Sequence, residues 1–577
     1  MCDYSSFQRE RVQENSAEAC IIPQSQRDEV SRNQQGVNRG DTDAMVRLGT
    51  LYERGEGVPI DMARAVDLWN RAAGRGNTKA MVQLGICYLH GKGVTKNSST
   101  AAQFFQRAAD KGSAAAVANL AMLYGTGNGV QKNERKKLEL LHRAADMGNN
   151  EALVNLGVLY YDGDIVPKNF KKAVELWQRA ADNQSAVGMT NLADCYMKGR
   201  GVPKDMTEAV NLLQRAADMN HATALKVLGD LYDEGEGVTK DPEKAASLYQ
   251  RAADLGNSDA MFCLALKFQK GNGVPVQMEK SIQLCQRASN LGNVRAMVNL
   301  GSCYSRGKGV PRDGRKAAEI FQRAIDKGDT SAMLLLGVIY FQGRDLEIDK
   351  EKALELWQHA SDLGNTEASL FLGRMYKQGE GIPKDEKKAV DMFQRAAKKG
   401  SKEALFNLGL CHMKGLGVPQ DVNKGFESYL QASDLGYDGA TNNVASCFLR
   451  GRGVPENKKR AFELYSSIAQ DKNPFAVRNL GVCYENGYGV DQDAGKAVEL
   501  YKRAVEGGNP GAMKHLGMCY LKGNGVEKDE KKGIELLKRA SDLGNRGAKV
   551  ILEEIESDET KQEAGDGGIK NESERTE

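Results

Sequence analysis

The sequence predicts an all-α protein, an α-solenoid of fourteen helical hairpins with a C-terminal capping helix. Three observations predict it. A glycine-bearing tetrapeptide recurs at a fixed step of 36 residues. The apolar residues on either side of it fall at helical spacing. The composition, 41% apolar but only 6% aromatic with 12 prolines, suits neither a disordered chain nor a sheet.

The step is regular from end to end. GEGV at Gly55 returns as GKGV at Gly91, GNGV at Gly127, GRGV at Gly199 and so on to GNGV at Gly523, fourteen times without insertion. Two copies depart from the pattern: GDIV at Gly163 and GRDL at Gly343 place Ile165 and Asp345 where the second glycine is expected, so their loops should differ in shape. Before each loop lies one helix. In the third repeat Ala116, Leu120 and Tyr124, four apart, make its apolar face. After each loop lies another. In the fifth repeat Asp205 opens it as N-cap, and Ala209, Leu212, Leu213 and Ala216 share a face. The N-cap slot holds Asp or Asn in thirteen repeats of fourteen, among them Asp61, Asn97, Asn133 and Asp529. The second helix usually ends on glycine, as at Gly76, Gly112, Gly256 and Gly544, or on Asn as at Asn220, residues that accept a left-handed backbone.

Packing slots repeat as faithfully. Six residues before each loop stands Gly or Ala, preceded by Leu in thirteen repeats and by Val444 in the other. Small beside large lets two helices approach closely. Three residues before the loop an aromatic appears in thirteen repeats, with His412 the exception. The glycine pair therefore reads as a hairpin joint. A phosphate-binding loop of the dinucleotide type follows a strand and occurs once, whereas here a helix precedes it and it occurs fourteen times.

Chemistry-bearing residues point away from catalysis. Seven of the 11 cysteines (Cys87, Cys195, Cys303, Cys411, Cys447, Cys483 and Cys519) share one slot that other repeats fill with Leu51, Leu123, Leu159, Leu231, Ile339 or Met375, and so read as buried packing residues. Equivalent cysteines are a hairpin apart, too far to bond, and free thiols fit a reducing compartment. The 6 histidines are scattered over different slots, with no C-x2-C and no H-E-x2-H. The expectation is a protein with no enzymatic activity, no metal and no cofactor. A net charge of +3 on 80 basic and 77 acidic residues gives no pull toward nucleic acid, and no apolar run is long enough for membrane insertion. With no apolar leader in MCDYSSFQRERVQEN, a cytoplasmic or nuclear location is expected.

The pattern A-x3-L-G-x2-Y-x2-G-x-G-V-x2-D-x2-K-A, seen closely in residues 223–256, resembles the Sel-1-like repeat family, relatives of tetratricopeptide repeats. The resemblance implies a right-handed superhelix and an adaptor that assembles protein complexes. It also implies an alternative, an adaptor of ER-associated degradation or the secretory pathway; a second alternative, independent of the resemblance, is a hydrolase on a repeat fold, for which no nucleophile stands out. The secreted branch of the family pairs cysteines within repeats, which this sequence does not.

The expected organisation is a disordered tail over 1–40, the repeats over 41–545, a capping helix over 546–556 and an acidic disordered tail over 557–577. In the cap, Ala548 and Leu552 keep the apolar slots while Glu553 and Glu556 turn the outer face polar. Partners, other proteins or extended peptides, are expected on the face lined by the first helices. Eight residues before the loop seven repeats carry Asn: Asn119, Asn155, Asn191, Asn299, Asn407, Asn443 and Asn479. Peptide-gripping tetratricopeptide domains use an asparagine one residue before the same Leu, and an amide can bond both N–H and C=O of a peptide. The competing reading is that these amides bond neighbouring helices. The basic slot nine residues after each loop's first glycine (Lys172, Lys244, Lys316, Lys352) reads as a solvated face.

Overall fold

The computed structural model describes residues 23–469 and 473–566. Among these residues there are 30 helices and no strand. The chain divides into two compact halves, Met1–Asn293 and Val294–Glu577. Each half is built alike. Hairpins stack in sequence order, and the first helices of successive repeats touch, as Asn150–Asp162 touches Ala186–Lys198 in one half and Thr330–Gln342 touches Thr366–Gln378 in the other.

The hairpin of the fifth repeat shows why the sequence folds this way. Its first helix, Ala186–Lys198, ends on Gly199 at φ +65°, a left-handed cap. Gly201 follows at φ +77°. The second helix, Met206–Asp218, starts on Asp205, whose carboxylate accepts from the Thr207 and Glu208 amides. The expected C-terminal caps also hold. Asn220 is left-handed at φ +56°, and so is Gln184 at φ +61° in a slot that most repeats fill with glycine.

The second loop glycine has a further reason. A Cβ on Gly201 would lie 2.5 Å from the carbonyl oxygen of Phe170, the first residue of the preceding repeat's second helix. The loop of one repeat thus presses on the backbone of the last. Gly201→Ala should cost about 2 kcal/mol or more, combining left-handed strain with this overlap. Urea titration checks it, and a loss under about 0.5 kcal/mol would show that the loop simply shifts away.

The two departing loops resolve differently. Ile165 takes no left-handed backbone, but Asp345 does, at φ +57°. There the glycine has moved to the partner: the preceding second helix begins on Gly314, where a Cβ would overlap the Arg344 carbonyl oxygen. Asp345 also accepts a hydrogen bond from the Gly314 amide at 3.0 Å and pairs with Arg312 at 3.3 Å.

The small slot receives a large side chain. Gly49 faces Trp69, where a Cβ would stand 2.5 Å from the indole nitrogen, and Gly85 faces Phe105 in the same way. All three tryptophans use the slot, and each indole N–H donates to a first-helix carbonyl: Trp69 to Val46 at 3.3 Å, Trp177 to Val154 at 3.1 Å and Trp357 to Leu334 at 3.0 Å.

One expectation is corrected. The stretch 1–40, read as an unstructured tail, contains the helix Gln24–Asn38, while residues 1–22 lie outside the described residues. Val37 is buried and Val30 packs on the first core. A Cβ on Gly57 would lie 2.8 Å from Gln26 O, so this helix takes the place that a preceding second helix takes elsewhere. It caps the array at the end where the sequence shows no cap.

At the other end the helix Arg546–Asp566 packs Ala548, Ile551, Leu552 and Ile555 on Met513, Leu537 and Ala540. Glu553 and Glu556 are exposed. The helical backbone runs on to residue 566, past the expected end of the cap at 556 and into the stretch 557–577 read as unstructured; 567–577 lie outside the described residues.

Candidate binding face

The repeated polar residues are largely spent on holding repeats together. The N-cap asparagines of the first helices do two jobs. Asn77 accepts from the Ala80 amide at 3.1 Å and donates to Asp43 of the preceding repeat at 2.9 Å. Asn365 caps its helix and reaches Thr330 at 3.0 Å. Second-helix arginines close the C-terminus of the helix before: Arg143 donates to Ala109 O at 3.1 Å and Arg179 to Ala145 O at 2.9 Å.

The basic slot after the loop is not simply solvated. Lys172, Lys244, Lys316 and Lys352 lie 4.7, 4.1, 4.4 and 4.4 Å from the ring centroids of Tyr160, Tyr232, Tyr304 and Tyr340. Each lysine covers the aromatic of its own hairpin, a cation–π contact that fastens the two helices by about 0.5–1 kcal/mol. The signal was in the sequence: the aromatic and the lysine stand a fixed 12 residues apart.

The cysteine slot is buried as expected. Cys87, Cys195, Cys303, Cys411, Cys447, Cys483 and Cys519 are all buried. Burial pushes the thiols of Cys87, Cys195, Cys447, Cys483 and Cys519 up to about 11, which makes them poor nucleophiles. The seventh repeat breaks the slot with Lys267, only 4% exposed and paired with Asp233 of the sixth repeat. Beside this pair in the first-helix sequence, Lys226 binds Asp230 at 2.6 Å, and the Tyr249 hydroxyl donates to Asp230 at 2.8 Å. Burial works against the Lys226 charge, but Asp230 holds its ammonium above the usual range. Burial, then Asp230, raises the Tyr249 hydroxyl well above that of a free tyrosine.

The asparagine row divides. In the first half Asn155 is exposed and Asn191 half-buried, and among the described residues neither side chain has a hydrogen bond. Asn119 donates to Ala115 O in its own helix at 2.9 Å. In the second half Asn299 accepts a long contact from the Cys303 thiol at 3.8 Å, and Asn443 faces the Tyr429 hydroxyl. Asn407, 9% exposed, accepts from Lys377 and donates to Glu403 O, both at 2.8 Å. Asn479 donates to Asn442 of the repeat before at 2.8 Å. The single slot therefore leaves the amides of Asn155 and Asn191 unbonded and ties those of Asn119, Asn407 and Asn479 into the structure.

Sequence reasoning missed a polar seam in the last three repeats. Nine residues before the loop most first helices carry Val, Leu, Ala or Phe, but here stand Asn442, Arg478 and Lys514. Arg478 lies among Tyr465, Tyr501 and Arg450, and burial lowers its pKa. Tyr501 donates to Glu485 at 2.5 Å and stacks on His515 at 5.2 Å. A hydrogen bond from His515 holds Glu485 below the usual carboxylate range, with burial opposing it. The signal that could have found the seam is the change from apolar to polar at a fixed position of the repeat.

Among the described residues no group of three His, Cys, Asp or Glu is placed to hold a metal, and no helix is long and apolar enough to cross a membrane. What the first-helix faces offer is amides, arginines and exposed edges, groups that supply hydrogen bonds and charge.

Comparison with known proteins fits this architecture. The family model described as Sel1 repeat matches fourteen segments, eleven of them contiguous over 42–437, then 439–473, 474–509 and 510–545. No curated protein matches the chain. Among solved structures, a protective antigen of uropathogenic Escherichia coli strains displaying an SLR fold is 25% identical, with a TM-score of 0.54, covering 85% of this chain and 96% of that one. A Sel1 repeat protein from Oxalobacter formigenes is 28% identical, with a TM-score of 0.40, covering 54% of this chain and 89% of that one.

Proposed function

The chain belongs to the Sel1 repeat family, and on that premise we propose that it is a non-catalytic scaffold, holding partner proteins or extended peptides against its first helices. The observation that carries this reading is the pair of unengaged amides, Asn155 and Asn191, on neighbouring first helices. Such amides can bond a peptide backbone whatever its side chains, leaving specificity to variable positions around them.

Each lost bond is worth about 1 kcal/mol, so the double variant Asn155→Ala, Asn191→Ala should weaken a partner found by affinity capture about thirtyfold. Its melting temperature should hold, because neither side chain bonds to the fold. A lower melting temperature with unchanged affinity would instead assign these amides to the structure.

A further inference from the structure

One slot of the repeat carries charge from a first helix to the next. Two residues before the loop stand Asp233, Lys377 and Glu485. Asp233 pairs with Lys267 of the following repeat, and Glu485 lies 3.5 Å from His515 of the following repeat. Each acid thus meets a group that carries, or can take up, positive charge. Lys377, in the tenth repeat, breaks the pattern. Its Nζ donates to Asn407 Oδ1 of the eleventh at 2.8 Å, and that neutral amide leaves the ammonium without a counter-charge. Its other contact is the Phe393 ring, with Nζ 5.8 Å from the centroid.

Two more cations share the place. Arg374 stands one turn back on the same helix, Thr366–Gln378, and Lys414 ends the next first helix, Lys402–Lys414, two turns beyond Asn407. Among the described residues neither Arg374 nor Lys414 has a hydrogen bond or an ion pair. Both are exposed and Lys377 is partly exposed, so the cluster opens to solvent. The acids of the two helices, Glu367 and Glu403, sit in their first turns, and the three cations in their second halves. Burial holds the Lys377 ammonium below its usual range. The Cys411 group opposes this, Arg374 and Lys414 add to it, and no carboxylate acts on it.

We propose that Arg374, Lys377 and Lys414 form a binding site for an acidic peptide segment of a partner protein, its carboxylates received over Lys377 between the two first helices. The inference rests on the scaffold reading and names the partner's chemistry. A partly buried ammonium whose only acceptor is an amide, flanked by two cations without acids, gains more from an anion than a fully solvated lysine does. That ammonium has three N–H donors, and Asn407 takes one. The cations are spread over two helices packed about 8–10 Å apart, which suits several carboxylates along a chain and not one compact phosphate group.

The test is fluorescence anisotropy on the full chain, with a labelled Glu-rich peptide and its Gln counterpart. The Glu peptide should bind at least about tenfold tighter. Lys377→Gln installs the residue that the seventh repeat carries as Gln269, and keeps an N–H for Asn407. It should weaken the Glu peptide about tenfold and leave the melting temperature unchanged or higher, since it relieves repulsion among the cations. The pair Arg374→Leu, Lys414→Gln takes residues found in the same slots, Leu410 and Gln342, and should weaken it at least as much. Equal binding of the two peptides overturns the proposal, and so does affinity unchanged in both variants, which would place the peptide on other basic residues. A fall in melting temperature with affinity intact also overturns it, by assigning the cations to the helix C-termini they stand near. Release of the Glu peptide by inorganic phosphate as readily as by unlabelled peptide would make this a site for a single anion and sink the peptide assignment. The scaffold reading is judged apart: a captured partner lost from the Asn155→Ala, Asn191→Ala variant leaves it standing where the Glu peptide fails.

Discussion

Trp357→Ala should destabilise the ninth repeat by about 3–5 kcal/mol, the range for emptying a large aromatic site. Trp357 is fully buried, sits in the slot opened by Gly337, and meets Phe371 of the next repeat edge-on at 4.7 Å between ring centroids. The Leu334 carbonyl also loses the indole N–H that donates to it. Because stability in a stacked array is set by each hairpin and its neighbours, the loss should be felt most in the ninth and tenth repeats. Amide hydrogen exchange should show protection collapsing there first, and urea titration should give the size. Trp357→Phe keeps most of the volume and should cost clearly less. A uniform drop in protection along the whole chain would mean that the repeats unfold as one body.

Asp233→Ala should cost about 3 kcal/mol, because it leaves the ammonium of Lys267 buried and unpaired. The reverse change behaves differently. Lys267→Leu restores the residue that the slot carries in repeats with Leu51, Leu123, Leu159 or Leu231, and leaves Asp233, 30% exposed, able to turn to water. That variant should be as stable as the parent or more so. The pair Asp233→Ala, Lys267→Leu should then recover most of the loss. Thermal unfolding of the three variants checks the sign of each. A Lys267→Leu variant as unstable as Asp233→Ala would show that the pair is held for more than charge balance.

Much of this was legible because the array repeats. Gly201, Asp205 and the small slot at Gly49 recur in register, and recurrence at one position isolates the physical demand made there. The demand is left-handed backbone, a free amide to cap or room for a ring. Where the structure adds something, the repeat gave no second copy or the partner lay in another element. The N-terminal helix Gln24–Asn38 is polar along most of its length, buries only Asn33 and Val37, and owes its helicity to the repeat it leans on. The lysines over Tyr232 and Tyr304 look solvated in sequence because an ammonium needs only one face of the ring. Of the asparagine row the slot was visible and the partners were not. Asn407 is tied by Lys377 of the preceding repeat and by Glu403 O of its own helix, Asn191 by neither kind of partner, and the motif does not tell the two apart.

The exchange between Gly314 and Asp345 bears on how such an array can grow or shrink. Hairpins joined at a constant step invite duplication and deletion as single modules. The eighth and ninth do not qualify, because the glycine that one loop gave up sits in the helix before it. Excising the ninth alone would set Gly381 over Gly314, glycine on glycine, and forfeit the Asp345 cap on that helix. Copying the ninth behind any other repeat would drive Arg344 into a side chain. These two hairpins fit one another as a pair, a module of 72 residues inside a lattice of 36.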